Sequence, residues 1–392
     1  MKIEGFLKDI GGASKVTKAR RLLFKNASSE PVGDDPVRAL SDALHPEKIR
    51  FIVREIRDSS PTSKTWKMVS ADGHIPIFQS GQYVNFHLKI GNSVLNRPYS
   101  ISSAPYQTKC EEPFIEVTIR RNRSYLVPDY FFENVREGEI LEADMPFGTF
   151  YYEPLRDSKD VVALAGGSGI TPFVSMAKEI AAGWLDVNLT IIYGSVSHDD
   201  IVCGKELEEI DASCDKVKVV HVMSDDPDWT GEKGFISREI IEKYSGPDST
   251  YMFCGPYAMY TFVEKALREM GVPKRRFRRD TLGQPDVSLI PGYPAAMRDK
   301  TYRISVYRGL HEDIIPASAS ESVAVALERA GIAIDTHCRG GECGLCRSQL
   351  LEGDIFVSPI GDGRRGMDKE MGWFHACSAY PMSDLVIKIP IL

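Results

Sequence analysis

Residues 338 to 346 read Cys-Arg-Gly-Gly-Glu-Cys-Gly-Leu-Cys, which sets Cys338, Cys343 and Cys346 in a C-x4-C-x2-C spacing, and Cys377 follows about thirty residues later. Two irons need four thiolates in total; a tight loop brings three to one side and a separate strand end supplies the fourth. Gly340, Gly341 and Gly344 let the loop close and turn its N–H groups toward the sulfurs. A zinc knuckle prefers two C-x2-C pairs or added histidines, so the spacing points to a 2Fe–2S cluster with those four cysteines as ligands.

Three further stretches carry chemical potential. Gly166-Gly167-Ser168-Gly169-Ile170-Thr171-Pro172 stands between the apolar run Val161 to Ala165 and a helical pattern. Glycines there admit a pyrophosphate close to the backbone, and the helix N-terminus favours its charge. The turn is not the G-x-G-x-x-G fingerprint of Rossmann folds. Cys254-Gly255-Pro256 ends a second apolar run, Tyr251 to Phe253. A lone cysteine at a strand end is usually structural. Open α/β sheets, however, bind ligands at the edge where both of these turns fall, which makes a nicotinamide contact the better reading. Arg97-Pro98-Tyr99-Ser100 offers a cation for a phosphate, a ring to stack on a flat heterocycle and a hydroxyl for a ring nitrogen, the needs of a flavin site. By itself such a tetrapeptide also arises in surface loops. Pro146-Phe147-Gly148-Thr149-Phe150 reads as a turn.

Elements to position these residues are legible in order. Residues 1–46 form an N-terminal extension of unassigned role, with breaks expected at Gly11-Gly12 and Gly33-Asp34-Asp35-Pro36. Between them Lys15 to Lys25 reads as a short basic helix, packed on the body or docking a partner or membrane surface. Residues 47–155 alternate apolar and polar, as in Val84, Phe86, Leu88 and Ile90 or Ile115, Val117 and Ile119. That is the period of an antiparallel sheet, expected to close into a β-barrel ending near Tyr152. Residues 156–283 repeat strand, turn and helix, the pattern of a doubly wound parallel sheet of α/β class. Residues 284–300 hold three prolines without periodicity and read as a linker. Residues 301–392 form a small α+β unit around the cysteine loop, with Ser320 as a helix cap and a last strand through Leu385, Ile387 and Ile389.

Composition narrows the function. A net charge of −7 argues against nucleic acid as a partner. No apolar run approaches the ~20 residues that span a bilayer. Charges at Lys2, Glu4 and Lys8 come too early for a secretory signal. Cys110, Cys203, Cys214 and Cys254 show no disulfide framework, which fits a reducing cytoplasm.

Taken together, residues 48 to 392 resemble the ferredoxin–NADP reductase superfamily, and within it the reductases with a C-terminal plant-type (β-grasp) ferredoxin domain. Phenylacetyl-CoA epoxidase reductase, the reductase of the hybrid cluster protein and phthalate dioxygenase reductase are of this type. The resemblance rests on Arg97-Pro98-Tyr99-Ser100, Gly166 to Pro172, Cys254-Gly255-Pro256 and the four cysteines, all in family order. It implies a flavin on the barrel held by Arg97, Pro98, Tyr99 and Ser100, with Ile119, Arg120 and Val127 along its phosphates. It implies a nicotinamide against Gly166, Gly167, Ser168, Gly169, Thr171, Pro172, Cys254, Gly255 and Pro256. Ser100, Thr171 and Cys254 would lie on the hydride path, and Asp280 would be the acidic residue near the flavin.

The chain also departs from that family. FAD is the expected flavin; Tyr125-Leu126-Val127-Pro128 replaces a Gly-x-x-Ser that binds flavin pyrophosphate, which leaves FMN as the alternative. Val196 replaces an arginine that receives a 2′-phosphate, which favours NADH over NADPH, and Leu282 replaces an aromatic residue. The implied function is an NAD(P)H-dependent electron-transfer reductase: hydride to flavin, then single electrons through the 2Fe–2S cluster to a separate terminal electron-acceptor protein. A self-contained flavin reductase of a small molecule, and a redox-sensing or docking protein, are the rival readings.

Overall fold

The structure, a computed structural model, describes residues 6–27, 35–44, 48–122, 125–280 and 283–390. Leu282, and the Gly33-Asp34 part of the second expected break, lie outside the described residues. The chain divides into two units, residues 1–44 and 45–392.

The first unit holds helices α1 (Phe6–Asn26) and α2 (Pro36–Leu44). The break expected at Gly11-Gly12 does not occur. Glycine in a helix interior costs about 1 kcal/mol relative to alanine, and α1 runs through the pair into the basic stretch. Leu22, Leu23 and Phe24 of α1 are exposed. Asp35 caps α2, its Oδ1 accepting from the Val37 N–H at 3.0 Å and the Arg38 N–H at 3.3 Å.

The second unit opens with β1 (Ile49–Ser60), β2 (Ser63–Ser70), β3 (Tyr83–Ile90), β4 (Ser93–Ser100), β5 (Phe114–Arg120), α3 (Leu126–Glu133) and β6 (Ile140–Phe147). The six strands form one antiparallel sheet in the order β4-β3-β6-β1-β2-β5. The ends meet: Ile101 bridges Val117, and the Ser102 N–H donates to the Glu116 carbonyl at 2.8 Å. This is the closed barrel that the alternation predicts. Its interior is filled by Phe51, Trp66, Phe86, Ile101, Val117 and neighbours, and α3 plugs it with Val127 and Phe131.

There follow β7 (Asp160–Gly166), α4 (Thr171–Ala181), β8 (Asn188–Ser195), α5 (Gly204–Ser213), β9 (Val217–Met223), β10 (Glu232–Lys233), α6 (Arg238–Tyr244), β11 (Thr250–Cys254), α7 (Tyr257–Glu269) and β12 (Phe277–Arg279). All six strands are parallel, in the order β10-β9-β8-β7-β11-β12. The strand order reverses between β7 and β11. The sheet faces the barrel through α4: Lys178 Nζ donates to the Ser102 carbonyl at 2.9 Å and Ser175 Oγ to the Ser103 carbonyl at 2.6 Å. Lys178 also pairs with Glu116 at 3.0 Å, and Glu116 with Arg57 at 2.6 Å.

Residues 284–300 lie against the rest of the unit: Val287 and Ile290 are buried with Ile360 and Tyr380. Last come β13 (Thr301–Arg308), β14 (His311–Ser318), α8 (Val323–Arg329), β15 (Arg347–Glu352), β16 (Ile355–Val357), α9 (Gly366–Glu370), β17 (Trp373–His375), β18 (Ala379–Pro381) and β19 (Leu385–Lys388). Five of these strands form a mixed sheet in the order β14-β13-β19-β15-β17, covered by α8. The cap of α8 is Ser322, whose Oγ accepts from the Val325 N–H at 3.4 Å. Ser320, the residue expected to cap, instead shares a hydrogen bond with the Ser318 hydroxyl at 2.8 Å. Among the described residues no helix is long and apolar enough to cross a membrane.

Candidate functional site

The switch point of the parallel sheet brings two of the sequence motifs into contact. Gly166 ends β7 and Cys254 ends β11, and the two strands pair in register up to Ala165 and Cys254. A Cβ on Gly169 would fall onto the Cys254 carbonyl and 2.6 Å from the Gly255 nitrogen. A Cβ on Gly255 would lie 2.7 Å from Met259 Sδ and 3.1 Å from the Gly166 nitrogen. Glycine is needed here because two backbones touch, which makes a cradle at the N-termini of α4 and α7. Thr171 opens α4 and its hydroxyl donates to the Ser168 carbonyl at 3.1 Å, while Pro172 occupies the first turn. Tyr193, absent from the sequence reading, steadies the turn: its hydroxyl donates to the Gly167 carbonyl at 2.9 Å.

Asp280 follows β12 at the same edge. Its N–H donates to the Phe253 carbonyl at 3.0 Å. Its carboxylate is buried, and Oδ2 has no hydrogen-bond partner. Burial pushes this carboxyl up to about 7, helped by the charges of Glu342 and Cys338. The Cys254 thiol is also pushed up, by burial first and then by Asp280. Tyr260 closes the group, donating to the Asp280 carbonyl at 2.5 Å and accepting from the Gly255 N–H at 3.4 Å. An orphaned carboxylate oxygen beside a thiol and a glycine cradle is a donor set fitted to the polar edge of a bound ring.

The barrel presents the other motif. Tyr99 and Ser100 end β4. The Tyr99 ring packs edge-on against Phe131 at 5.6 Å, and Ser100 is buried opposite Tyr83. Pro98 pairs with Asn85. The cations expected at phosphates already have carboxylate partners: Arg97 bonds both oxygens of Glu328 at 3.1 Å, and Arg120 pairs with Asp200. Arg120 Nη1 also lies 3.3 Å from where a Cβ on Gly167 would sit, so it borders the glycine turn. Ile119 and Val127 point into the barrel core rather than toward this edge.

Cys338, Cys343 and Cys346 of the loop meet Cys377, just after β17, as two pairs. Cys338 interacts with Cys343, and Cys346 with Cys377, the second pair held by the Ala376 N–H donating to the Cys346 carbonyl at 3.1 Å. Among the described residues no three ligand side chains converge as a single ion would need. Two pairs fit two irons. Cys338 Sγ accepts from the Gly340 and Cys343 N–H groups, both at 3.4 Å. Gly341 and Gly344 have positive φ, 90° and 79°, so the loop requires glycine there.

This loop lies against both other parts of the unit. The Gly283 N–H donates to the Cys338 carbonyl at 2.9 Å, Gln284 Nε2 to the Gly340 carbonyl at 2.7 Å, and Arg279 pairs with Glu342 at 3.4 Å. On the barrel side His337 packs edge-on against Phe147 with ring centroids 4.1 Å apart. The Tyr83 phenol is pushed up by burial and then by Cys338, Cys343 and Asp280. Phe147 also packs against Tyr83, with ring centroids 5.9 Å apart, so the barrel end adjoins the cluster loop.

Comparison with known proteins follows this geometry. Residues 163–265 match the oxidoreductase NAD-binding domain, and residues 311–382 match the 2Fe-2S iron-sulfur cluster binding domain. The glycine betaine monooxygenase reductase subunit of Pseudomonas aeruginosa is 26% identical over 326 residues, covering 79% of this chain and 87% of that one. The NADH oxidoreductase HCR of Escherichia coli is 25% identical over 341 residues, covering 86% and 97%. Among solved structures, phthalate dioxygenase reductase superposes with a TM-score of 0.65 at 20% identity, covering 88% of this chain and 98% of that one.

Proposed function

We propose, from the premise that the chain belongs to the flavin and 2Fe–2S reductases of the ferredoxin–NADP reductase superfamily, that it oxidises NADH and delivers single electrons to a separate terminal metalloenzyme. An oxygenase is the partner class favoured by the monooxygenase reductase relatives. A bound flavin exchanges a hydride with a nicotinamide and single electrons with an iron–sulfur cluster.

The residues of this chain divide that work. The cradle of Gly166, Gly167, Ser168, Gly169, Gly255 and Pro256 receives the nicotinamide cofactor's pyrophosphate. Thr171 and Cys254 border the nicotinamide ring, and burial keeps the Cys254 thiol protonated and non-nucleophilic. Tyr99 and Ser100 hold the flavin ring, with Asp280 at its edge. FAD is the flavin we favour. Val196, exposed after β8, offers no cation to a 2′-phosphate. Cys110, Cys203, Cys214 and Cys254, the free cysteines that are not cluster ligands, suit the cytoplasm.

The observation that carries this reading is the contact between the nicotinamide edge and the cluster loop, made by Arg279, Gly283 and Gln284 on either side of Asp280. An anaerobic titration with NADH, then NADPH, followed by visible absorbance, tests it. Bleaching of flavin and 2Fe–2S bands together at low NADH is expected. Bleaching of the flavin alone would overturn the order of carriers, and steady turnover of a small molecule without a protein acceptor would overturn the need for a partner.

A further inference from the structure

The buried carboxylate of Glu328 has two arginines on it, and they come from different parts of the chain. Arg97, on barrel strand β4, donates through Nη1 to Oε1 and Oε2, both at 3.1 Å. Arg339, next to the ligand Cys338, donates through Nη1 to Oε1 at 2.5 Å and through Nη2 to Oε2 at 3.1 Å. The Glu328 side chain is 2% exposed, against 21% for Arg97 and 10% for Arg339. Two guanidinium groups brought together out of water repel, and Glu328 is what makes that arrangement tolerable. The Arg97 charge responds to all three: burial and Arg339 disfavour it, and Glu328 restores it in part.

Two further observations mark the spot as built. Arg339 has φ of +52°, a left-handed backbone that a residue with a side chain adopts at a cost, and its side chain is fixed by Glu328 and by the Thr336 hydroxyl at 3.2 Å. The neighbouring contacts run along the same line. Asn96 Nδ2 donates to the Ile334 carbonyl at 3.3 Å, and a Cβ on Gly331 would meet the Asn92 carbonyl oxygen at 2.8 Å. So the β3–β4 hairpin lies along α8 and the loop that follows it, with one charged centre.

We propose that Glu328 is a positioning residue for electron transfer within the chain: by gripping Arg97 and Arg339 together it seats the cluster loop against the flavin barrel. The role rests on the proposed function, because it concerns transfer from the flavin site to the cluster. It gives Arg97, which the structure pairs with a carboxylate, a task toward the cluster loop, and gives Glu328 one where the family motifs assign none. Glu328 itself touches no cofactor.

Glu328→Gln keeps the size and removes the charge; Glu328→Asp keeps the charge but shortens the reach, so it retains Arg339 at 2.5 Å more readily than Arg97 at 3.1 Å. Three quantities are read on the holoprotein. They are the rate of flavin reduction by NADH, the rate of the subsequent bleaching of the cluster, and the rate of trypsin cleavage within residues 284–300. For Glu328→Gln we expect flavin reduction within about twofold of wild type, cluster reduction slowed about tenfold or more, and cleavage accelerated to a similar degree. The electron paramagnetic resonance spectrum of the reduced cluster should stay unchanged. Glu328→Asp should fall between, and decides the matter if the glutamine variant does not fold.

Unchanged cluster reduction with unchanged cleavage would overturn the proposal. A lost or altered cluster spectrum would also overturn it, since that is the mark of a residue that only supports the loop's fold. A wild-type protein that shows no flavin-to-cluster phase would refute the proposed function instead, and the cleavage rates would still report whether Glu328 seats the loop.

Discussion

Replacing Gly169 by alanine is a one-methyl test of the nicotinamide cradle. Gly169 does not have a positive φ, so alanine meets no backbone strain. The whole effect comes from the Cβ, which would sit 2.6 Å from the Gly255 nitrogen and closer still to the Cys254 carbonyl. Both obstacles are backbone, so no side chain can swing aside and the turns after β7 and β11 must part. Overpacking of this kind costs about 1–3 kcal/mol. If the closed arrangement of the turns is the one that binds NADH, that cost appears in the affinity, as a roughly 5- to 150-fold rise in the half-saturating NADH concentration for flavin reduction. Anaerobic stopped-flow absorbance in the flavin band reads it. Gly246→Ala is the control: its Cβ would meet only Ser249 Oγ, at 3.6 Å, an ordinary contact. A folded Gly169→Ala protein that saturates with NADH within twofold of wild type would refute the reasoning that the touching turns form the cofactor site.

Cys338→Ser should abolish transfer to one-electron acceptors that need the cluster, while NADH still reduces the flavin; parallel assays with NADH alone and with a one-electron acceptor check this. Val196→Arg should raise the efficiency with NADPH by up to about fivefold, the scale of an exposed ion pair, and leave NADH little changed, as read from kcat/KM for both. Asp157 is fully buried between Arg278, which donates from Nη1 at 2.7 Å, and the Glu153 N–H at 2.8 Å. Burial works to raise its carboxyl, but these bonds hold it below the ordinary value. A depressed carboxylate adds stability that is present above the unfolded value, about 3.9, and is lost as pH falls through the folded one. Asp157→Asn should therefore cost about 3–5 kcal/mol at neutral pH and much less at the acid end, measured as denaturant midpoints across pH.

Local signals made much of this molecule readable. Alternation in Val84 to Ile90 and Ile115 to Ile119 gave a barrel. Short apolar runs followed by glycine turns gave a parallel sheet. Cysteine spacing alone pointed to a cluster, because ligand loops are short. What stayed hidden depends on contacts distant in sequence. Glu328 sits in an apolar helix, Val323–Arg329, and nothing nearby reveals that a strand 231 residues upstream brings Arg97 to it. Gly11-Gly12 misled because a helix of adequate length absorbs two glycines. Ser320 misled because several serines before α8 could cap it, and only the backbone course selects Ser322.

The barrel is a hoop with one thin joint. Around it each pair of adjacent strands is laced by four or more residue pairs, apart from β4 and β5, which meet at Ile101–Val117 and the Ser102–Glu116 bond beside it. The carbonyls that Lys178 and Ser175 hold, Ser102 and Ser103, lie at that joint. Helix α4 thus acts as a buckle, supplied by the neighbouring sheet and fastened across the place where the hoop is weakest. A ribosome makes the hoop first and the buckle later, so the barrel stays unfastened until residue 178 has emerged. Cut free of the parallel sheet, it should leak hydrogen exchange at residues 101–103 before anywhere else on its rim.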